Sequence, residues 1–409
     1  MYQEIQTCRV SGSSNLIKVV SLGEQYLTGV FPKSTTESVT KGPIDLVWCP
    51  DSGLLQLKQS YHLAEMYGEN YGYRSGLNIS MVDHLHQKAY HLAKFVGLKA
   101  GDTVLDIGSN DATFLKAFPV SMHKIGVDPT GNKFSAYYGQ EISLVADFFS
   151  ATTFLNQFPH EQPKLITSIA MFYDIESPSQ FVKDIEVLLA PDGIWHFEQS
   201  YMPSMLRTNA YDTICHEHLE FYSFQVVKSL IEAHGLKVID VQMNSVNGGS
   251  FAVTAAKKTS TYAPNHAIIN WLLNQEEMMN LYTLAPFRAF EARIFKHRTE
   301  LLTLIENIVA SGKTVFGYGA STKGNVLLQF CGITKELLPY MAEVNPSKYG
   351  CYTPGTHIPI ISEREAMAMK PDYFLVLPWH FKHHILEKEK DYLQKGGKFI
   401  FPLSEIEIV

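Results

Sequence analysis

Between Asp212 and Tyr222 the chain reads Asp-Thr-Ile-Cys-His-Glu-His-Leu-Glu-Phe-Tyr, eleven residues holding two histidines, three carboxylates, a thiol and a phenol. A packing segment has no use for so many proton-transfer groups. Histidine titrates near neutrality, which suits it to take and return protons at cellular pH. The His216-Glu217-His218 triplet lacks the H-E-x-x-H spacing that sets two histidines on one helical face around zinc, and a bound metal would compete with base duty. The strip therefore reads as acid–base equipment whose task depends on its flanks.

Upstream, Thr103 to Ile107 is an apolar strand running into Asp106-Ile-Gly108-Ser-Asn110-Asp111-Ala112, with a helix beginning at Thr113. A second strand, Lys124 to Val127, ends at Asp128, and a third stretch ends at Asp147. Strand, glycine turn, helix, strand and acid is the order of a nucleotide-binding half, in which the turn admits the ligand and the acid takes ribose hydroxyls. The dinucleotide fingerprint G-x-G-x-x-G is absent. A strand-terminal acid with a looser glycine turn favours S-adenosylmethionine (SAM), which has no diphosphate to cradle. Asp106, Gly108, Asn110, Asp128, Asp147 and Phe172 are the candidate cofactor contacts. Strands at Leu165 to Ala170 and Gly193 to Phe197 follow, and residues after their carboxyl ends (Phe172, Tyr173, Asp174, Glu198, Gln199, Tyr201) are expected in one mouth, overhung by His216, Glu217 and His218. The histidines of the preceding helix, His84, His86 and His91, lie off its apolar stripe and read as solvated.

The nucleotide pattern then starts again. Thr314 to Tyr318 is a strand, Gly317 to Asn325 a glycine turn (Gly-Tyr-Gly-Ala-Ser-Thr-Lys-Gly-Asn), and Glu343 follows the next strand. Amides at such a turn bind anions, and Lys323 can neutralise phosphate, although the P-loop pattern is not met. Residues 265–311 read as connecting helices.

The first 75 residues look like a small β-rich module, with strands at Leu16 to Leu22, Leu46 to Trp48 and Leu54 to Leu57. Cys8-Arg-Val-Ser11 and Cys49-Pro-Asp-Ser52 stand where a zinc ribbon would carry two C-x-x-C knuckles. Serine is a poor zinc ligand, so a bound zinc is not expected. A formal charge of −7 argues against a nucleic-acid or anionic-membrane binder, five scattered cysteines suit a reducing compartment, and no apolar run nears the ~20 residues of a membrane span. A small-molecule substrate, a cytoplasmic setting and a chain that can act as a monomer are the expectations.

These blocks together resemble the nucleotide-sugar C-methyltransferases that install branching methyl groups on 4-keto deoxysugars. The resemblance rests on Cys8/Ser11 with Cys49/Ser52, on Asp106 and Gly108, on the strip Tyr211 to His218, and on the block Gly317 to Asn325. It implies an α/β fold: a class I SAM methyltransferase Rossmann-like domain (76–260) between a zinc-ribbon-like module (1–75) and, after a helical connector (261–310), a Rossmann-like sugar-nucleotide domain (311–409). It also implies roles: His218 as base with His216 as the alternative, Glu217 orienting the site, Tyr222 donating to the enolate oxygen or sugar. Tyr71, Tyr73, Arg74, Ser321, Lys323, Asn325 and Glu343 would hold the substrate. The sequence departs from the family at Cys215, where a tyrosine is usual, and at Asp174 and Asn247, where histidines are. An O-methyltransferase, an NAD-linked sugar enzyme and a non-catalytic nucleotide-sugar-binding protein are the competing readings.

Overall fold

A computed structural model of the chain describes residues 2–66 and 73–409. Tyr71, expected at the substrate, lies outside the described residues.

The centre is a seven-stranded sheet. Its order is Leu236–Asn244, Ser250–Lys257, Ile194–Ser200, Leu165–Ile169, Thr103–Ile107, His123–Val127 and Ile142–Val145. Six strands run in one direction, while Ser250–Lys257 runs antiparallel to both of its neighbours. In order of appearance this is 3-2-1-4-5-7-6 with the seventh strand reversed, the class I methyltransferase arrangement. Such a sheet is apolar on both faces because helices cover both, and all five residues of Thr103–Ile107 are buried. The topological switch falls where Thr103–Ile107 separates His123–Val127 from Leu165–Ile169, so a crevice opens at their carboxyl ends.

The helix Ile79–Val96 packs across this crevice. Asn78 caps it by accepting from the Ser80 amide, and Gly97 ends it at φ 67°, a left-handed conformation that costs glycine little. Its stripe Leu85, Ala89, Leu92 and Val96 is buried. His84 is not free in solvent: its Nε2 meets Glu198 at 2.6 Å, and Lys88 meets the same carboxylate at 2.8 Å. An apolar-stripe argument misses this because a polar helix face can cover a buried acid.

The second sheet runs Ile360–Ser362, Met341–Glu343, Val315–Tyr318, Tyr373–Val376, Lys398–Phe401 and Glu407–Ile408. This 3-2-1-4-5-6 order is that of dinucleotide-binding sheets, with only the last strand antiparallel. The helices His266–Met278 and Ala285–Ala310 join the two sheets.

The N-terminal strands Ile17–Tyr26, Lys41–Trp48 and Leu55–Leu57 form an antiparallel sheet whose fourth strand is borrowed. Glu220–Phe221, the end of the proton-transfer strip, pairs with Leu55 and Gln56. The Leu57 amide also donates to the Leu219 carbonyl at 2.8 Å. One continuous apolar core then links Val20, Leu46 and Trp48 of this sheet to Tyr211, Ile214 and Cys215 of the strip, to Phe287 and Phe290 of the long helix, and to Val326 and Leu328 beyond it.

Among the described residues no helix is long and apolar enough to cross a membrane.

Candidate active site

A cavity of about 650 Å³ opens at the carboxyl ends of the central sheet, within the size range of small-molecule sites. Asp106, Gly108, Asn110 and Asp128 line it. Gly108 sits at φ 74°, and a Cβ there would meet the Met171 side chain at 2.9 Å, so the turn accepts no larger residue. Asp128 is oriented by the Asn110 and Thr130 amides, both at 2.7 Å. Burial pushes Asp106 up to about 7, against the Thr167 hydroxyl that donates to it at 2.6 Å. These acids and this glycine cradle suit a cationic nucleoside cofactor.

Two expected cofactor contacts lie elsewhere. Asp147 is exposed and accepts from the Phe148 amide at 2.7 Å; Phe148 and Phe149 line the cavity instead. Phe172 is buried beneath the sheet against Trp195, Phe197 and Tyr222, while its neighbours Met171 and Tyr173 face the opening.

From the strip, Cys215, Glu217 and His218 reach the cavity. The Nδ1 of His218 lies 2.7 Å from the Thr213 carbonyl. A carbonyl can only accept, so Nδ1 carries the hydrogen and Nε2 presents a lone pair. The ring packs on Tyr173 with centroids 4.3 Å apart. Burial, joined by the Lys323 charge, holds its pKa down at about 3, so the imidazole is neutral at physiological pH. Burial raises the Glu217 carboxyl, which packs against Gly29 of the N-terminal module, where any Cβ would collide with its Oε1; Thr322 of the second sheet's turn lies alongside. Three parts of the chain thus close on one carboxyl.

His216 and Tyr222 are placed differently from expectation. The strip turns between Cys215 and His218, whose amide bonds back to the Cys215 carbonyl at 3.3 Å, and this sends His216 the opposite way, edge-on to Tyr61 at 4.6 Å. It is fully buried and does not line the cavity. Tyr222 stacks on Phe172 at 5.4 Å in the sheet core, its hydroxyl without a partner.

From the other lobes Tyr73, Ser321 and Lys323 line the cavity. Ser321 caps the helix Thr322–Cys331 by accepting from the Gly324 amide, and Lys323 Nζ donates to the Asn247 carbonyl at 3.1 Å. Arg74, Asn325 and Glu343 do not line it. Arg74 engages the Tyr137 hydroxyl and, at 3.7 Å, Asp111. Asn325 is buried and donates to the Thr28 carbonyl at 2.7 Å. Glu343 accepts from the Val344 and Asn345 amides. All three are tied into structure.

Gln199 lines the cavity, as its place near a strand end predicts, whereas sequence reasoning did not single out His380 or Asn247 as site residues, yet both line it too. The Gln199 side-chain amide is buried with neither atom partnered, and His380 Nδ1 is likewise unsatisfied. Gln199 is the last residue but one of the strand Ile194–Ser200, and His380 follows the strand Tyr373–Val376, so a strand carboxyl end is the signal by which both are findable. Asp174 lines the cavity as expected, whereas Tyr201 is buried with its hydroxyl on Glu276 at 2.7 Å. Burial works to raise Glu198, also in the wall, but the His84 bond and the Lys88 charge bring it down to about 2.

At the N-terminus the two half-knuckles do converge, crosswise. Cys8 Sγ lies 3.2 Å from Ser52 Oγ, and Ser11 Oγ 3.7 Å from Cys49 Sγ. Burial raises Cys8, but serine hydrogen bonds outweigh it and bring the thiol to about 7. Two thiols and two hydroxyls already bonded to one another do not fit a structural zinc, which takes four thiolate or imidazole ligands. Among the described residues no cluster of three or more His, Cys, Asp or Glu is arranged for a metal.

Family models match most of the chain: a methyltransferase domain over residues 81–241, a C-methyltransferase C-terminal domain over 245–404, and a candidate zinc-binding domain over 8–67. The chain is 31% identical over 409 residues to the C-methyltransferase NovU of Streptomyces niveus, covering 99% of this chain and 97% of that protein. Among solved structures it is similar to a SAM-dependent methyltransferase from Clostridium acetobutylicum (10% identity, 43% of this chain and 92% of that one, TM-score 0.33). It is also similar to the 1,6-didemethyltoxoflavin N1-methyltransferase of Burkholderia thailandensis (15%, 44% and 82%, TM-score 0.32). With a reversed seventh strand, a strand-end acid and glycine turn on the cavity, and a full-length relative of this kind, the chain belongs to the C-methyltransferase family and is a SAM-dependent C-methyltransferase.

Proposed function

We propose that the methylated carbon is the one beside the ketone of a nucleotide-linked 4-keto deoxysugar, made nucleophilic as an enolate, in the biosynthesis of a branched sugar. The observation that carries this reading is His218: a neutral imidazole with Nδ1 tied to Thr213 and Nε2 open, in the same cavity as the Asp106–Asn110 turn. A carbon acceptor, unlike an oxygen or nitrogen, has no lone pair and needs such a base.

Asp106, Gly108, Asn110 and Asp128 would hold SAM, which supplies an electrophilic methyl group when bound. His218 Nε2 takes the proton from the carbon beside the ketone, and the electron pair of that C–H bond moves towards the carbonyl oxygen. Glu217, with its carboxyl raised by burial, donates to or orients a sugar hydroxyl. The Gln199 amide, unpartnered in the wall, offers a further hydrogen bond to the ring. Tyr73 walls one side, and Ser321 lines the cavity from the second sheet, whose strand order is that of dinucleotide-binding sheets.

The test is proton exchange. Thymidine-, guanosine- and cytidine-diphosphate-linked 4-keto-6-deoxyhexoses are incubated with the enzyme in deuterated water, with and without SAM, and followed by NMR. Exchange beside the ketone, and a methyl carbon at that position when SAM is present, are expected with at least one of them. Absence of both across the set, or a methyl group on oxygen, would overturn the reading.

A further inference from the structure

An enolate puts a full negative charge on oxygen, and preorganised donors aimed at that oxygen usually contribute the largest single term to such catalysis. The strip does not supply them. Tyr222 is buried away from the cavity, and the Cys215 thiol is a weak donor. Glu217 and His380 carry no positive charge: burial raises the first and brings the second to about 3.

Lys323 differs from all of these. It enters the cavity from the turn of the second sheet, and among the described residues its Nζ has one hydrogen-bond acceptor, the Asn247 carbonyl at 3.1 Å, and no carboxylate within salt-bridge distance. An ammonium has three donors, so two remain for a ligand. That carbonyl belongs to a turn fixed from both lobes: Asn247 holds φ 54°, and Gly248 packs so closely on Trp379 that a Cβ would lie 3.1 Å from the indole. Trp379 in turn donates to Asp212 Oδ2 at 2.8 Å, at the head of the strip. Burial lowers the Lys323 pKa, opposed by the neighbouring Asp212 and Cys215, and the lysine's charge in turn adds to the burial that depresses His218 and His380, so it stands at the base end of the cavity.

We infer that Lys323 is the oxyanion partner: its ammonium, held by Asn247, donates to the ketone oxygen as His218 takes the neighbouring proton. The C–H pair becomes the new C=C bond, the carbonyl π pair settles on oxygen beside Nζ, and the proton resides on His218 Nε2. The inference rests on the ketosugar reading above. The other anion such a lysine could meet is the substrate diphosphate. In a 4-ketosugar that group leaves from the opposite side of the ring from the ketone, whereas Lys323 neighbours the base.

Exchange into the same 4-keto-6-deoxyhexose nucleotides, measured in deuterated water without SAM, separates the possibilities. Replacing Lys323 with Gln is expected to lower the saturated exchange rate by about 10²–10³-fold, the scale of losing one oxyanion donor, with the sugar-nucleotide KM changed by less than about 3-fold. Lys323→Arg, which keeps a charge, should recover at least about ten-fold of that loss. A Lys323→Gln enzyme with a raised KM and an unchanged saturated rate would overturn this assignment in favour of phosphate binding while leaving the enolate route intact. No exchange by the wild-type enzyme would overturn both. His218→Ala, silent in exchange whichever partner Lys323 serves, marks the base step independently.

Discussion

Asn325 donates its side-chain amide to the carbonyl of Thr28, 2.7 Å away and 297 residues earlier in the chain. The bond fastens the first helix of the second doubly wound sheet to the loop that carries Gly29, and so to the flank of Glu217. Asn325→Ala leaves a buried carbonyl unpaired, a loss of about 1–3 kcal/mol. A lower thermal midpoint together with a several-fold fall in kcat is expected from calorimetry and steady-state assays. A variant as stable and active as the parent would show that the clamp is dispensable.

His218 sets the pH behaviour. Its folded pKa lies near 3, below the ordinary 6.5, so the base is already neutral through the acid side of the physiological range. The pH profile of kcat/KM should therefore show no histidine-like fall on going down through about 6.5. Its conformational contribution has the matching sign, present in full above the unfolded pKa and lost as pH drops towards 3. His218→Ala should lower kcat by about 10²–10⁴-fold, with no pH restoring it. A wild-type inflection near 6.5 that vanishes in this variant would contradict the neutral-base assignment.

Tyr222 gives the opposite expectation. Its ring stacks on Phe172 and its buried hydroxyl has no partner, so Tyr222→Phe removes an unsatisfied group without disturbing packing. Turnover should stay within about two-fold, and the melting temperature should be equal or higher. A large loss of kcat with intact folding would restore the phenol as a substrate donor.

The crossed Cys8/Ser52 and Ser11/Cys49 pairs make the N-terminal knuckle a hydrogen-bonded clasp. Protein purified in zinc-containing medium should hold well below one zinc per chain by elemental analysis, and chelator should leave its melting unchanged. The double variant Ser11→Cys/Ser52→Cys supplies four thiolates and should take up zinc and become chelator-sensitive. Stoichiometric zinc in the parent would refute the clasp.

Much of the architecture was legible because it follows local rules. Asp106 and Asp128 stand at strand ends beside a glycine turn, and the Gly317–Asn325 block announces a second nucleotide-type sheet from its spacing alone. The approximate position of the strip was legible for the same reason: it follows a strand whose carboxyl end faces the crevice. Which of its side chains enter was not. Neighbouring polar residues look equivalent in a sequence, and a tight turn at Cys215–His218 sends Glu217 and His218 one way and His216 the other. Asn325 looked like a ligand because it shares a motif with Lys323, yet two further residues of helix rotate it inward onto Thr28. Phe172 and Tyr222 are the same lesson in a sheet: they stack on one another below the strands, and only long-range packing says so. His84 and Glu198 are 114 residues apart, beyond the reach of any periodicity.

The borrowed strand Glu220–Phe221 gives the small N-terminal module a kinetic role. The reactive strip is held by main-chain bonds to Leu55, Gln56 and Leu57, and residues of the central sheet supply the methyl-donor side of the cavity without that pairing. Amide hydrogen exchange at Phe221 should consequently follow the opening of the N-terminal sheet, whereas the Leu219 amide, which donates to the Tyr173 carbonyl at 2.8 Å, should follow the cofactor lobe. The reactive strip is thus a seam stitched on one side to Leu55 and Leu57 and on the other to Tyr173, so a loosening of the N-terminal sheet reaches it without passing through the cofactor turn.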